Sequence, residues 1–584
     1  MLPKLSGPIP VFLVAFAWLS IAWPATAQPL ERLPKLDSAL TARVRSKDAA
    51  RQNVIIRVKD GNPAALAATL RAQGHTVGRV HHGIGAIAAS LTVNQIRALT
   101  EYDSVVSIST DAVVLADQTT TSTYTLRGTL GLPVQSPGGN RVGVAVIDSG
   151  VEPGPEFGDR LVAFYDFTQG GIALPASDDY GHGTHVAGLI AGDGTQSQKR
   201  YRGLAPKARL IVLKVLDGNG QGLTSDVISA IEYATANKER LGIDIINLSL
   251  GHPIYEPAET DPLVQAVEAA ARAGLHVVAS AGNYGLNPET SEPGYAGIVS
   301  PANAPSAIAV GAETTGDTSR RSDDRVAHYS SRGPSWYDGT AKPDLVAPGQ
   351  SMVSTAARSS LLYLNHPDLR VGDSYMRLSG TSMATGVVSG TLALVIEAHR
   401  TAFAGAPPLT PNAAKALLQF TALKVHDELG AEYDTLTQGA GSINPAGAID
   451  LASKIDTSAP VSSWWLTTGV TPTTTIDGET YSWADNIVWG NAMGSGPILY
   501  TNEPAWSQNI VWGNNIVWGN NIVWGNNIVW GSNIVWGNNI VWGNGLVGTT
   551  SGTTVAWGVV TGDSGATVWK SLQDDTSVLP EWWR

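Results

Sequence analysis

Four short stretches set residues capable of acyl-transfer chemistry at the ends of apolar segments. "AVIDSGV" puts Asp148 at the carboxyl end of a strand-like run, and "GHGTHVAG" holds His182 between two glycines at the head of an apolar helix. "SAGN" closes another apolar run at Asn283, and "SGTSMATGVVSG" places Ser382 in a tight turn that feeds a long helix. Taken singly, each has an ordinary explanation. An Asp ending a strand forms turns or caps helices, and a Ser ahead of a helix is an N-cap. His182 and His185, three apart, share a helix face as metal ligands would, although no third ligand of the H-E-x-x-H kind lies near them. As a set they read differently, because Asp, His, Ser is one of the chain orders in which a catalytic triad occurs. In such a triad the hydroxyl attacks a carbonyl and the imidazole takes its proton. The carboxylate orients the imidazole, and an amide such as that of Asn283 donates to the oxyanion.

The elements that must position these groups are legible between residues 139 and 452. "RVGVAVID", "ARLIVLKVL", "IDIINLSLG", "LHVVASAGN" and "AIAVGAE" are continuous apolar runs, as expected of strands covered on both faces. Helical stretches such as "DVISAIEYATANKE" and "PLVQAVEAAARAG" alternate with them. The alternation predicts an α/β domain with a mostly parallel, twisted sheet and helices on both faces. Ligands of such sheets bind at the carboxyl ends of the strands, where Asp148 and Asn283 fall.

With these motifs in order, the sequence resembles the subtilases, the subtilisin-like serine endopeptidases, over roughly residues 120 to 452. "NLSLG", "YSSRGP" and "KPDLVAPG" extend the match. The resemblance implies a triad of Asp148, His182 and Ser382, with Asn283 and the Ser382 N–H as the oxyanion hole. It implies protein or peptide substrates and no cofactor for the chemistry, while any structural calcium stays unassigned. It also implies two segments that hold substrate as an added strand, "GNGQG" (with Gly220 and Gly222) and "LSLG" (with Ser249, Leu250 and Gly251). One departure is Gly386, where the family usually carries Pro. Glycine there loosens the first turns of the nucleophile helix by up to about 1 kcal/mol.

The remainder of the 584 residues divides around this domain. Residues 1–27 read as a signal peptide, with Lys4, an apolar run from Val11 to Trp23 and the small-x-small site Ala25-Thr26-Ala27. The expected location is therefore secreted, with surface association through the tail as a further expectation. Residues 28–117 alternate as β-α-β-β-α-β, the order of a ferredoxin-like sandwich. In the family's frame this is an inhibitory propeptide, cleaved between Asp117 and Arg127. Residues 118–452 form the catalytic domain, and the Ser/Thr/Pro-rich residues 453–482 read as a linker.

Residues 483–584 hold the repeat "NNIVWG", with Trp512, Trp518, Trp524, Trp530, Trp536 and Trp542 six apart. The pattern predicts very short strands stacked as a β-solenoid. No Lys, Arg, Asp or Glu occurs from 504 to 562, so contact with a cell surface or polymer is expected rather than a solvated spacer. Cysteine is absent, which excludes disulfides and thiolate chemistry. Residues 28–117 carry 11 basic and 8 acidic side chains, and residues 118–584 carry 26 and 42. A main body of −16 does not suit a nucleic-acid partner.

Overall fold

The computed structural model describes residues 33–507 apart from 34, 47–49, 60–62, 116–125, 133–135, 288–292 and 490–491, and beyond 507 only strands between 529 and 569. The expected signal peptide, the expected cleavage point and most of the repeat lie outside the described residues.

The central sheet is built as the apolar runs predict. Leu345–Pro348, Ile308–Thr314, His276–Ser280, Ile245–Leu248, Gly143–Asp148, Arg209–Lys214 and Leu161–Asp166 lie side by side, every neighbouring pair parallel. Two-residue antiparallel strands, Arg325–Val326 and Ile172–Ala173, pair at its margins. Burial on both faces explains why these strands lack alternation. One face is covered by the helices His182–Ala191 and Thr381–Ala402. The other is covered by Thr224–Ala236 and Pro262–Arg272. Thr381–Ala402 is long and apolar enough to cross a bilayer, but it runs buried through this core.

The first segment is a separate small body with its own core. Its elements are α1 (Ser38–Ser46), β1 (Arg51–Val58), α2 (Pro63–Ala72), β2 (Thr76–His81), β3 (Ala86–Thr92), α3 (Val93–Thr100), β4 (Val105–Thr110) and β5 (Val113–Leu115). The first four strands form an antiparallel sheet in the order β2-β3-β1-β4. Leu40, Val54, Ile56, Leu70, Ile87 and Ile96 fill its interior. The segment meets the larger body largely through polar contacts. Asp111 accepts from the Ser225 N–H at 2.8 Å, and Thr224 donates to the Ala112 carbonyl. Arg79 pairs with Asp226 at 2.9 Å, and Glu232 accepts from the Gly83 N–H. From there β5 runs antiparallel along Gln221–Leu223, with Val114 opposite Gly222.

The linker expected over 453–482 is corrected by the structure. That stretch packs onto the larger body, and so do the described residues between 483 and 507. Trp465, Leu466, Ile476, Trp483, Ile487, Leu499 and Trp506 join the same hydrophobic cluster as the Thr381–Ala402 helix. Trp465 Nε1 donates to the Leu499 carbonyl and Trp483 Nε1 to Thr474 Oγ1. Composition misled because the Ser and Thr residues sit largely on outer faces while a few widely spaced aromatic residues carry the burial. The antiparallel hairpin 473–476/479–482 is part of this layer.

The second hairpin, 486–489 with 492–495, contains an outlying copy of the repeat, "NIVWGN". Its Val488 carbonyl accepts from Gln419 Nε2, and its Trp489 ring lies over Lys415 and edge-on to Trp506. Farther on, the strands described between 529 and 569 pair antiparallel as adjacent hairpins.

Candidate active site

Asp148 is the last residue of its strand, fully buried. Its Oδ1 lies 2.8 Å from His182 Nδ1, and the Ser149 N–H also donates to it at 2.7 Å. His182 opens its helix directly after Gly181, whose φ of +105° is a left-handed conformation that glycine accepts without strain. A Cβ on Gly183 would collide with the Gly150 carbonyl, so the helix start and the Asp148 strand end approach as closely as two backbones can. The two glycines flanking His182 thus set the Asp–His distance.

A residue that sequence reasoning passed over ties this corner together. Asp178 is buried and accepts four hydrogen bonds, from Ser149 Oγ, the Gly181 N–H, the Thr184 N–H and Thr184 Oγ1, all at 2.6–2.8 Å. Ser149 Oγ in turn accepts from the Gly183 N–H at 2.9 Å. Burial pushes the Asp178 carboxyl up, and the four donors pull against it. Its signal in the sequence was an acidic residue three positions ahead of a Gly-His-Gly, too common a pattern to single out.

Ser382 is the second residue of its helix, which packs against the His182 helix. Its Oγ donates to the Ser249 carbonyl at 3.1 Å, and Ser249 Oγ donates to the Ser382 carbonyl at 2.9 Å. Behind them Asn247 Nδ2 donates to Ser249 Oγ, and Ser389 Oγ donates to Asn247 Oδ1. The turn at Ser382 is therefore anchored from the neighbouring strand by a buried chain of side chains. Asn283 Oδ1 accepts from the Thr381 N–H at 3.0 Å, which turns the amide's donor end away from the helix backbone.

The expected strand-binding residues divide. Gly222 lies on the edge strand already paired by β5, with Gly220 in the turn before it. Ser249 is buried against Ser382, Leu250 points into the core, and Gly251 remains partly open. His185 is not brought to a metal cluster with His182. Its Nε2 lies 2.9 Å from the Met352 carbonyl, and burial pushes its pKa down to about 3, so it is a neutral tether. No group of three or more His, Asp or Glu that could hold a metal ion occurs among the described residues. Gly386 faces the His182 helix, where a Cβ would lie 3.3 Å from the Val186 carbonyl oxygen. The closeness of the two helices suits a residue without a side chain.

A mostly parallel α/β sheet carries Asp148 at a strand end and Ser382 and His182 at the starts of two packed helices, and sequence comparison places the chain among the serine peptidases. The family model of the subtilases matches residues 139–442, and the chain belongs to that family of serine endopeptidases. It is 38% identical over 316 residues to the serine protease AprX of Bacillus subtilis, covering 53% of this chain and 66% of AprX. It is 32% identical over 371 residues to subtilisin E of the same species, covering 62% of this chain and 85% of that one. Among solved structures, fervidolysin from Fervidobacterium pennivorans, described as a keratinolytic enzyme related to subtilisin, superposes with a TM-score of 0.53 at 25% identity. That superposition covers 69% of this chain and 61% of fervidolysin.

Proposed function

We propose that this subtilase is a secreted endopeptidase made as a self-processing zymogen, with Asp148, His182 and Ser382 as its triad. The support for the triad is the buried 2.8 Å contact between Asp148 and His182, together with Ser382 at the start of a helix that packs against the His182 helix. Ser382 Oγ attacks the scissile carbonyl while His182 takes its proton and later passes it to the leaving amine. Ser382 must first release the Ser249 carbonyl, and catalytic hydrogen bonds often tighten only when substrate is bound. Asp148 holds the imidazole in one tautomer and stabilises its positive form. The Asn283 amide, its oxygen occupied by the Thr381 N–H, presents its NH₂ to the developing oxyanion together with the Ser382 N–H. Asn283→Ala should lower kcat roughly 10²–10³-fold with little change in KM, a size carried over from subtilisin itself.

The first segment acts as the inhibitor. Support comes from β5, which lies along Gln221–Leu223 as an added strand in the manner of a bound peptide. The small α+β body, ferredoxin-like in its element order, would dock this strand until cleavage within 117–127. Before that interval β4 belongs to the small sheet, and after it Leu130 and Leu132 join the larger core. The Trp-rich repeat then holds the released enzyme at a cell surface or polymer, a role supported by its lack of charge.

The decisive experiment is secretion of the Ser382→Ala chain. An inactive product that retains residues 28–117 is expected, and mass spectrometry reads its N-terminus. Normal removal of the segment from that variant would sink self-processing. For the tail, removing residues 508–584 should abolish retention on cells or polymer. Unchanged retention would end that part of the reading.

A further inference from the structure

At the opposite edge of the central sheet lies a cavity of about 350 Å³ that no step of proteolysis uses. It opens where the strands begin. Arg209 and His276 are the first residues of their strands, Asp244 directly precedes a third, and Arg141 lies two positions ahead of a fourth. Asp148 ends that fourth strand, so the cavity stands about one strand length, roughly 17–20 Å, from the triad.

The lining is cationic in a chain whose net charge is −12. Arg141, Arg209, Lys238 and Arg400 converge on it against Asp244 and Glu239. Asp244 is already committed, with Arg400 bound to its two oxygens and the Gly143 N–H to one of them. Glu239, 92% exposed, reaches Lys238 from the solvent side at 3.5 Å. Neither Arg141 nor Arg209 has a carboxylate partner among the described residues. The Arg209 guanidinium makes only a long 3.4 Å contact to the Gly242 carbonyl, and its Nε is buried without a partner. His276 and His399 complete the wall as neutral rings, since burial pushes both down to about 4. Two unneutralised guanidiniums sharing a concave site is an arrangement that costs repulsion unless an anion answers it, and guanidinium is the group best shaped to grip carboxylate or phosphate in pairs.

We propose that this cavity is a binding site for a small multivalent anion, a phosphate ester or a polycarboxylate, held by Arg141 and Arg209 with Lys238 at the rim. Its volume leaves room for a ligand larger than a bare ion, with an organic or second anionic part. Occupancy ties the starts of four strands together and therefore stabilises the fold without touching the cleft.

The test uses the full chain with Ser382→Ala, which prevents self-digestion. Inorganic pyrophosphate and citrate are titrated separately by calorimetry at constant ionic strength, with melting temperature as a second readout. Saturable binding and a raised melting temperature are expected with at least one. Pyrophosphate alone assigns a phosphate ligand, citrate alone a polycarboxylate, and both a site that reads charge only. Arg141→Glu changes an exposed side chain outside the core, so the unliganded melt should hold. It should weaken binding roughly tenfold or more, as the loss of a hydrogen bond between charged groups implies. Absence of saturable binding by both probes, or affinity unchanged by both Arg141→Glu and Arg209→Gln, would overturn the proposal.

Discussion

The catalytic body carries an attachment on each side, and the two are joined by different chemistry. The N-terminal segment keeps its own core and meets the body largely through hydrogen bonds and ion pairs, with few side chains such as Ile55 and Ala86 entering the larger core. The C-terminal extension from 453 to 507 has, among its described residues, no core of its own and joins the cluster around the Thr381–Ala402 helix. Polar contacts exchange for water at small net cost, whereas apolar area returned to water is lost outright. The first junction is one that can open and leave two folded halves; the second cannot. On the proposed reading this is what a zymogen needs at its N-terminal side.

The largest expected effect tests the second junction. A chain ending after Ala452 loses the burial of Trp465, Leu466, Ile476, Trp483, Ile487, Leu499 and Trp506. At about 1.5–3 kcal/mol each, that is on the order of 10–20 kcal/mol, as large as the whole net stability of a domain, about 5–15 kcal/mol. A chain ending after Ser507 should unfold cooperatively, and one ending after Ala452 should show no cooperative transition in a urea titration followed by tryptophan fluorescence. Trp506→Ala in the longer chain should cost about 3–5 kcal/mol by the same measurement. Cooperative unfolding of the shorter chain would mean that the extension is an appendage after all.

The contrast also marks what could be read from the chain alone. The sheet was legible because Val144, Val146, Ile211, Val277 and their neighbours form unbroken apolar runs, and the site because His182 and Ser382 are fenced by small residues at fixed offsets. The extension was not, because its signal is a handful of aromatic residues spread over some fifty positions. Nothing in a window around Trp465 says that it will meet Leu499. Asp178 and Asn247 escaped for a related reason. Their importance lies in partners such as Ser149 and Ser389, which only the fold brings near. The outlying "NIVWGN" at 486–491 stands plainly in the sequence, but the contacts of its Val488 with Gln419 and of its Trp489 with Lys415 are tertiary facts.

The next effect belongs to the N-terminal junction and depends on pH. Glu256 is buried at this junction beside Asp37 of the first segment and Asp261 of its own loop. Burial, then those two carboxylates, push it from 4.5 up to about 8, against hydrogen bonds from Ser109 and Thr260. Arg57 approaches it from β1, and burial pushes the neighbouring Tyr255 hydroxyl up to about 12, so it stays protonated throughout. A carboxyl whose value is raised in the docked state favours docking while it is protonated. Its contribution is fully present below the undocked value and is lost as pH rises through the docked one. Affinity of the first segment, supplied separately to the mature Ser382→Ala body, should therefore fall as pH climbs from 4.5 to about 8. Glu256→Gln should flatten the curve. Affinity that is level or rising across that window would break the assignment.

The smallest effect separates the two junctions by charge. Arg79 and Asp226 meet at 2.9 Å with side chains 27% and 17% exposed, and Arg79 also donates to the Phe167 carbonyl and lies over that ring. A partly screened pair of this kind contributes about 0.2–1 kcal/mol. Loss of the carbonyl contact adds to it, so Arg79→Ala should weaken docking of the first segment several-fold, and less so in high salt. At the C-terminal junction the corresponding pair is Arg320 with Glu479, 3.8 Å apart and 68% and 46% exposed. Arg320→Ala should leave the urea midpoint unchanged, because Trp483 and Ile476 beneath that hairpin already hold it. Equal sensitivity of the two junctions to their ion pairs would mean that polar contacts hold both alike, and the contrast between them would fail.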